Sequence, residues 1–294
     1  MNKEKLFLKI INETLSDNSF LGNDCAYLKD FNLLVSHDTL IESVHFDMSY
    51  FTPYEIGQKA LLVNISDILS GGGIPKYATV SLSGNLDEDF IKNFYTGING
   101  ISDEYEMKII GGDLTGGSKI AISVCIMGLG LNKISSRKCA QAGDFVYVKG
   151  MCGNSAYGLS LLLSGKRNKE NEFIKAHIKP ELYKDITYEI AKNAKMPYVM
   201  MDTSDGLYDA LHRVSFESGV GFNIDFNKIP HVVEDKNLVL FGGEDFGLFI
   251  CLKPEDAHLT EALGLSKIGI VTDTKKIIMN GVELTEDKSF QHFK

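Results

Sequence analysis

Four short apolar runs in this chain each stop at acids: FNLLVSHD at Asp38, MKIIGGD at Asp113, PYVMMDTSD at Asp202 and Asp205, and LVLFGGED at Glu244 and Asp245. Apolar runs of this length read as buried strands, and strands mixed with helical segments imply α/β units. Any one of these acids reads equally well as a turn former or a helix N-cap. Recurrence at four run ends is what favours a shared site. Asp24, in a Gly-Asn-Asp turn, and Asp67, on a helical segment, extend the set.

The helical segment is residues 54–70, with Gly71, Gly72 and Gly73 as its stop. Spacing puts Ala60, Asn64, Asp67 and Gly71 on one small, polar face, opposite Leu61, Leu62, Ile65 and Leu69. Such a face suits close approach to an ion. Strands are predicted at 31–37, 76–83, 107–110 and 119–129, the second and fourth pairing, and a helix at 87–106 with Asp87 as its N-cap. The strand at 107–110 would leave Asp113 at its mouth. Beyond a boundary near residue 135 the mixture repeats. Strands are expected at 145–150, 198–201, 238–241 and 247–252, helices at 155–164 and 205–218, and a closing hairpin in the tail. The expected fold is α/β (α+β) in two domains, 1–135 and 136–294.

Composition bounds the rest. A net charge of −9 over 294 residues argues against a general nucleic-acid surface, which needs clustered Lys and Arg. No stretch is long and apolar enough to span a bilayer, so no membrane role is expected. The five cysteines form no CxxC pair, and the amino terminus lacks the pattern of a signal peptide. A cytoplasmic protein is the expectation.

Gathered carboxylates call for a hard cation. Mg²⁺ takes oxygen ligands and bridges to phosphates, whereas too few His and Cys lie nearby for zinc or iron. The glycines of GGDLTGGS could present backbone N–H groups to phosphate oxygens. The chain has no Walker A lysine pattern and no HRD or DFG, so any ATP use rests on another fold.

The ordered series GNDCAYL, SHDTLIESVHF, ALLVNISDILSGGGIP, IIGGDLTGG, SRKCAQAGDFVYVKG, MDTSDGL and FGGEDFGLFI resembles the thiamine-monophosphate kinase family, of the aminoimidazole ribonucleotide synthetase superfamily. The match covers nearly the whole chain. It implies ATP as co-substrate, Mg²⁺, phosphorylation of thiamine monophosphate to thiamine diphosphate, and a homodimer formed through the N-terminal domain. By position, Asp24, Ser36, His37, Asp38, Asp67, Asp113, Asp202 and Asp205 match magnesium-binding residues. Tyr95, Gly112, Asp113, Arg137 and Ser204 match nucleotide contacts, and His45, Glu244 and Phe290 match positions that hold the thiamine phosphate. Asp113, Arg137 and Asp205 are the expected catalytic set. The chain departs from the family pattern at Asn23, at Cys25 in place of a small residue, at His37 in place of Thr, and at Gly71–Gly73 in place of Ala-Met-Gly. Rival readings are a purine-synthesis ligase, a selenophosphate synthetase with a reactive cysteine, and a non-catalytic metal-binding or nucleotide-binding regulator.

Overall fold

The structure, a computed structural model, describes residues 3–293. After α1 (Lys3–Thr14), the chain forms β1 (Ala26–Leu28), β2 (Leu33–Ile41), α2 (Pro53–Ser70), β3 (Gly73–Gly84), α3 (Glu88–Glu104), β4 (Lys108–Gly116) and β5 (Ala121–Gly130). The five strands make one sheet in the order β1-β2-β5-β3-β4. β3 and β5 pair antiparallel, as the sequence predicts, and β4 lies parallel to β3 on the edge.

Local chemistry sets α2. Thr52 caps it, accepting from Glu55 N while the Glu55 carboxylate accepts from Thr52 N, and Pro53 fills the first turn. Every residue from Ile56 to Ser66 is buried, Lys59 and Asn64 included. A helix covered on all sides is a central one. Leu34, Leu40, Val80, Val124 and Ile126 project from the sheet towards it, in one core with Phe94 and Ile98 of α3. The other side of the sheet carries Thr39, Ser123, Ser81 and Asp113 in one cross-strand row, and no element of the described residues covers it.

Residues 145–283 build the second sheet from β6 (Phe145–Lys149), β7 (Val199–Asp202), β8 (Gly221–Ile224), β9 (Leu248–Leu252), β10 (Ser266–Thr272), β11 (Ile277–Met279) and β12 (Val282–Glu283). Their order is β12-β11-β8-β10-β6-β9-β7. Between them run α4 (Asn154–Leu163), α5 (Glu172–Ile178), α6 (Lys184–Asn193), α7 (Leu207–Ser218), α8 (Lys236–Phe241) and α9 (His258–Leu263). Leu162, Ile174, Ile178 and Phe246 join the same core as α2, so the two halves share apolar contacts. The closing hairpin forms as β11 and β12.

Two expectations are corrected. LVLF at 238–241 is the end of α8, not a strand: Asp235 accepts from Asn237 N and starts the helix. A four-residue apolar run does not distinguish strand from buried helix. The 107–110 strand does not stop at the glycines either. β4 continues through Gly111, Gly112 and Asp113 in register with β3, so GGDLTGG is extended strand. Gly112 is needed because a Cβ there would lie 1.8 Å from the Val80 carbonyl oxygen.

Candidate active site

Asp24, Asp67 and Asp202 converge from three elements: the turn before β1, α2 and the end of β7. Each offers a carboxylate oxygen within 4.8 Å of the others'. Serines surround them. Ser36 Oγ donates to Asp67 at 2.5 Å, Ser66 Oγ to Asp202 at 2.6 Å, and Ser204 Oγ to the other Asp202 oxygen at 3.0 Å. Asp38 is placed by its backbone N–H, which donates to Asn64 Oδ1 at 3.1 Å. The Asn64 amide in turn holds the Ala60 carbonyl. The polar face read from the spacing of α2 is therefore real, and it meets the acids.

Crowding shows in the titration. Burial, then Asp38, Asp202 and Asp24, push Asp67 well above the carboxylate range. Burial and Asp24 push Asp202 up to about 7, against the Ser66 and Ser204 hydrogen bonds. Asp205 rises to about 6, from burial and Asp209, with Arg213 opposing. Carboxylates held this close are stabilised by a cation. The donors are all hard oxygens, a set that fits Mg²⁺ and not zinc.

A cavity of about 380 Å³ opens on these groups, lined by Asp24, Ser36, His37, Asp38, Asp67, Arg137, Ser204 and Asp205 among others. Arg137 is buried and ion-paired with Asp24, and its Nε is left without a partner among the described residues. The sequence reading missed Ser66, Ser70, Asp209 and Arg213. Ser70 Oγ reaches Asp24 at 3.3 Å, and Arg213 lines the cavity with a guanidinium nitrogen 3.0 Å from Asp205. Two departures from the family pattern compensate each other. The Cys25 sulfur lies 2.4 Å from where a Cβ on residue 71 would sit, so Cys25 requires Gly71.

A second group stands apart. Glu244 accepts from Lys59 Nζ at 3.1 Å. His45 is half-buried, and its ring centroid is 5.2 Å from that of His292, which is 5.0 Å from Phe290. Burial holds His45 below its usual range while the Glu244 charge opposes, and His292 also acts on Asp205. His292 of the tail is thus within electrostatic reach of both His45 and Asp205. Neighbouring Asp245 is an anchor: it accepts from Gly153 N and Ser155 N, at the start of α4.

Tyr95, Gly112 and Asp113 do not line the cavity. Asp113 is exposed on edge strand β4, paired in register with Ser81 on the uncovered sheet face, and hydrogen-bonded to Thr115.

Two mixed sheets meeting at an acid-lined cavity define the class. Residues 22–131 match the family described as AIR synthase related protein, N-terminal domain, and residues 141–281 match its C-terminal domain. The thiamine-monophosphate kinase of Aquifex aeolicus is 33% identical, over 97% of this chain and 96% of that one. That of Bacillus subtilis is 36% identical, over 89% and 88%. A solved structure described as "AaThiL complexed with AMPPCP and TMP" superimposes with a TM-score of 0.88 at 30% identity, covering 98% of this chain and 96% of that one. The chain belongs to the thiamine-monophosphate kinase family of AIR synthase related proteins.

Proposed function

We propose that the protein transfers the γ-phosphoryl group of ATP to thiamine monophosphate, giving thiamine diphosphate, and does so with Mg²⁺. The observation that carries the reading is the trio Asp24, Asp67 and Asp202, held by serine hydroxyls beside an acid-lined cavity, with Glu244 held by Lys59 in a second group. The relative solved with AMPPCP and TMP, an ATP analogue and the acceptor, supports the substrate pair.

Asp24, Asp38, Asp67, Asp202 and Asp205 would hold Mg²⁺, with Ser36 and the His37 backbone beside them. The cation supplies charge neutralisation for two approaching anions. Alternation along β2 turns the His37 side chain to the uncovered face, away from Ser36 and Asp38, so replacing Thr with His costs the acid cluster no hydroxyl. The acceptor is itself an ionised phosphate, so direct in-line transfer needs no strong general base. What the chain supplies is alignment. Arg137 and Ser204 face the nucleotide. The carboxylate of Glu244, with His45 within its electrostatic reach and Phe290 joined to His45 through His292, suits the cationic ring of thiamine. Burial pushes the Cys25 thiol well up, which argues against a thiol-dependent selenophosphate chemistry.

Division near residue 135 gives a first part that binds ATP and Mg²⁺ and dimerises, and a second that completes the site. The uncovered face of the first sheet, with half-exposed Val35, Cys125 and Met127, is the surface a second copy would cover. Val35 and His37 also line the cavity, so it opens towards that face. Asp113, with Gly112 beside it on β4, would then act from the partner copy, whereas Tyr95 on α3 lies on the covered side of the sheet.

Purified protein incubated with ATP, Mg²⁺ and thiamine monophosphate should give thiamine diphosphate, read by chromatography. Folded protein that binds ATP and forms no product overturns the reading. Asp113→Ala and Asp67→Ala should each be inactive, and unfolding and refolding them together should restore part of the activity. Failure of that mixture alone removes the contribution in trans.

A further inference from the structure

Lys59 lies in the middle of α2 and is 1% exposed, yet it carries a charge. Its Nζ donates to the His177 carbonyl at 3.1 Å and to Glu244 Oε2 at 3.1 Å, and sits 5.2 Å from the Phe51 ring centroid. The His177 ring closes the arrangement. Its Nδ1 is 3.3 Å from the same Glu244 oxygen and 3.1 Å from Ser155 Oγ. Burial, then the Lys59 charge, push His177 down to about 2, so the ring is neutral and its approach to Glu244 is not an ion pair.

Both contacts fall on Oε2. Among the described residues no hydrogen bond reaches Oε1, and the Glu244 side chain is 28% exposed. The backbone is committed as well: Glu244 and Phe246 both adopt left-handed conformations, φ 65° and 50°. Non-glycine residues rarely do so without a compensating interaction. Asp245 between them is pinned to the start of α4. A strained turn, fixed from behind and gripped through one carboxylate oxygen, presents the other outward.

We propose that Lys59 is a positioning residue for the acceptor site: it reaches across from the first half of the chain, holds Oε2 of Glu244, and so directs Oε1 at the cationic ring of the substrate. This rests on reading Glu244 as a thiamine phosphate contact. Lys59 itself is too deeply buried behind Glu244 to touch the ligand.

The test compares Lys59→Met, Glu244→Gln and the double variant, by steady-state kinetics with each substrate varied. Lys59→Met should raise KM for thiamine monophosphate about tenfold to a hundredfold, the loss expected from a charge-assisted hydrogen bond. The KM for ATP should stay unchanged. Glu244→Gln should show the same selective rise, and the double variant should be no worse than Glu244→Gln alone, because Lys59 acts only through Glu244. Lys59→Met with an unaltered KM for thiamine monophosphate, beside an impaired Glu244→Gln, overturns the positioning role only. An unimpaired Glu244→Gln overturns the acceptor-site reading as well. Should Lys59→Met alone fail to fold, the double variant, with neither charge, carries the comparison. A KM above that of Glu244→Gln would then place Lys59 on the substrate and overturn the proposal.

Discussion

Replacing Asp202 by Asn should stabilise the protein without metal and remove its response to Mg²⁺. Asp202 is 1% exposed and its carboxyl is raised from 3.8 to about 7, by burial first and Asp24 second. At about 1.4 kcal/mol per pKa unit, charging it in the folded state costs about 4 kcal/mol. The sign follows from proton binding. Between about pH 4 and pH 7 the folded chain holds a proton that the unfolded chain has released, so stability falls as pH rises through that window and stays low above it. Asn carries no charge and can keep the Ser66 and Ser204 contacts, which now reach the two Asp202 oxygens. Calorimetric unfolding in EDTA at pH 5 and pH 8 should show a loss of several degrees for the unsubstituted protein and a smaller loss for Asp202→Asn, with the variant melting higher at pH 8. Mg²⁺ at about a hundred times its Kd should return about 2.7 kcal/mol to the unsubstituted protein, and much less to the variant. Because Asp24 and Asp67 share the site, the change belongs to the cluster and not to one carboxyl. A variant that loses as much as the unsubstituted protein between pH 5 and pH 8 would refute the claim that charging buried Asp202, beside Asp24, is what costs this site stability.

Three further outcomes follow from other contacts. Lys253→Met should destabilise by about 3–5 kcal/mol, since its Nζ lies 2.9 Å from both oxygens of buried Asp144 and removing it strands that carboxylate; denaturant titration checks this. Gly97→Ala should cost about 1–3 kcal/mol by the same assay, because the new Cβ would lie 2.0 Å from the Tyr54 carbonyl where α3 crosses α2. Phe290→Ala, at a side chain 54% exposed, should leave the melting temperature within about a degree while raising KM for thiamine monophosphate.

Much of the architecture was legible because its signals were local. The cap at Asp87, the periodicity of α2 and the glycines after it all lie within a few residues of what they determine. β8 and β10 were not legible. GFNI is a four-residue strand with little pattern, and SKIGIVT has a register break at Gly269. The acids that gather come from four separate segments; recurrence at run ends points to Asp38, Asp202 and Asp205, whereas Asp24 and Asp67 are read from a turn and from a helix face. Their partners gave no such signal. Ser66, Ser70 and Lys59 carry no signal of their own in the sequence, and their roles emerge only once α2 is seen to be buried on every side. Asp113 misled for the opposite reason. Glycines beside an acid resemble a turn, but here they let β4 approach β3, and pairing across the sheet turned the acid to the face away from α2.

One helix relates the two parts of the candidate site. Lys59 and Asp67 are eight residues apart on α2, about 12 Å along its axis at 1.5 Å per residue. The first grips Glu244, and the second meets Asp24 and Asp202. The contacts to Glu244 and Asp202 join α2, from the first half of the chain, to a turn and a strand of the second, and Ser66 adds a further link to Asp202. On the proposed reading, the separation between the acceptor-ring contact and the acids would be set in part by this buried helix, which carries a partner of each. A substrate recognised at Glu244 would then have its phosphate directed towards the acids proposed to hold Mg²⁺. It follows that changes at Lys59 should act on acceptor binding, whereas changes at Asp67 should act on metal binding and turnover, though the two residues share one rigid element.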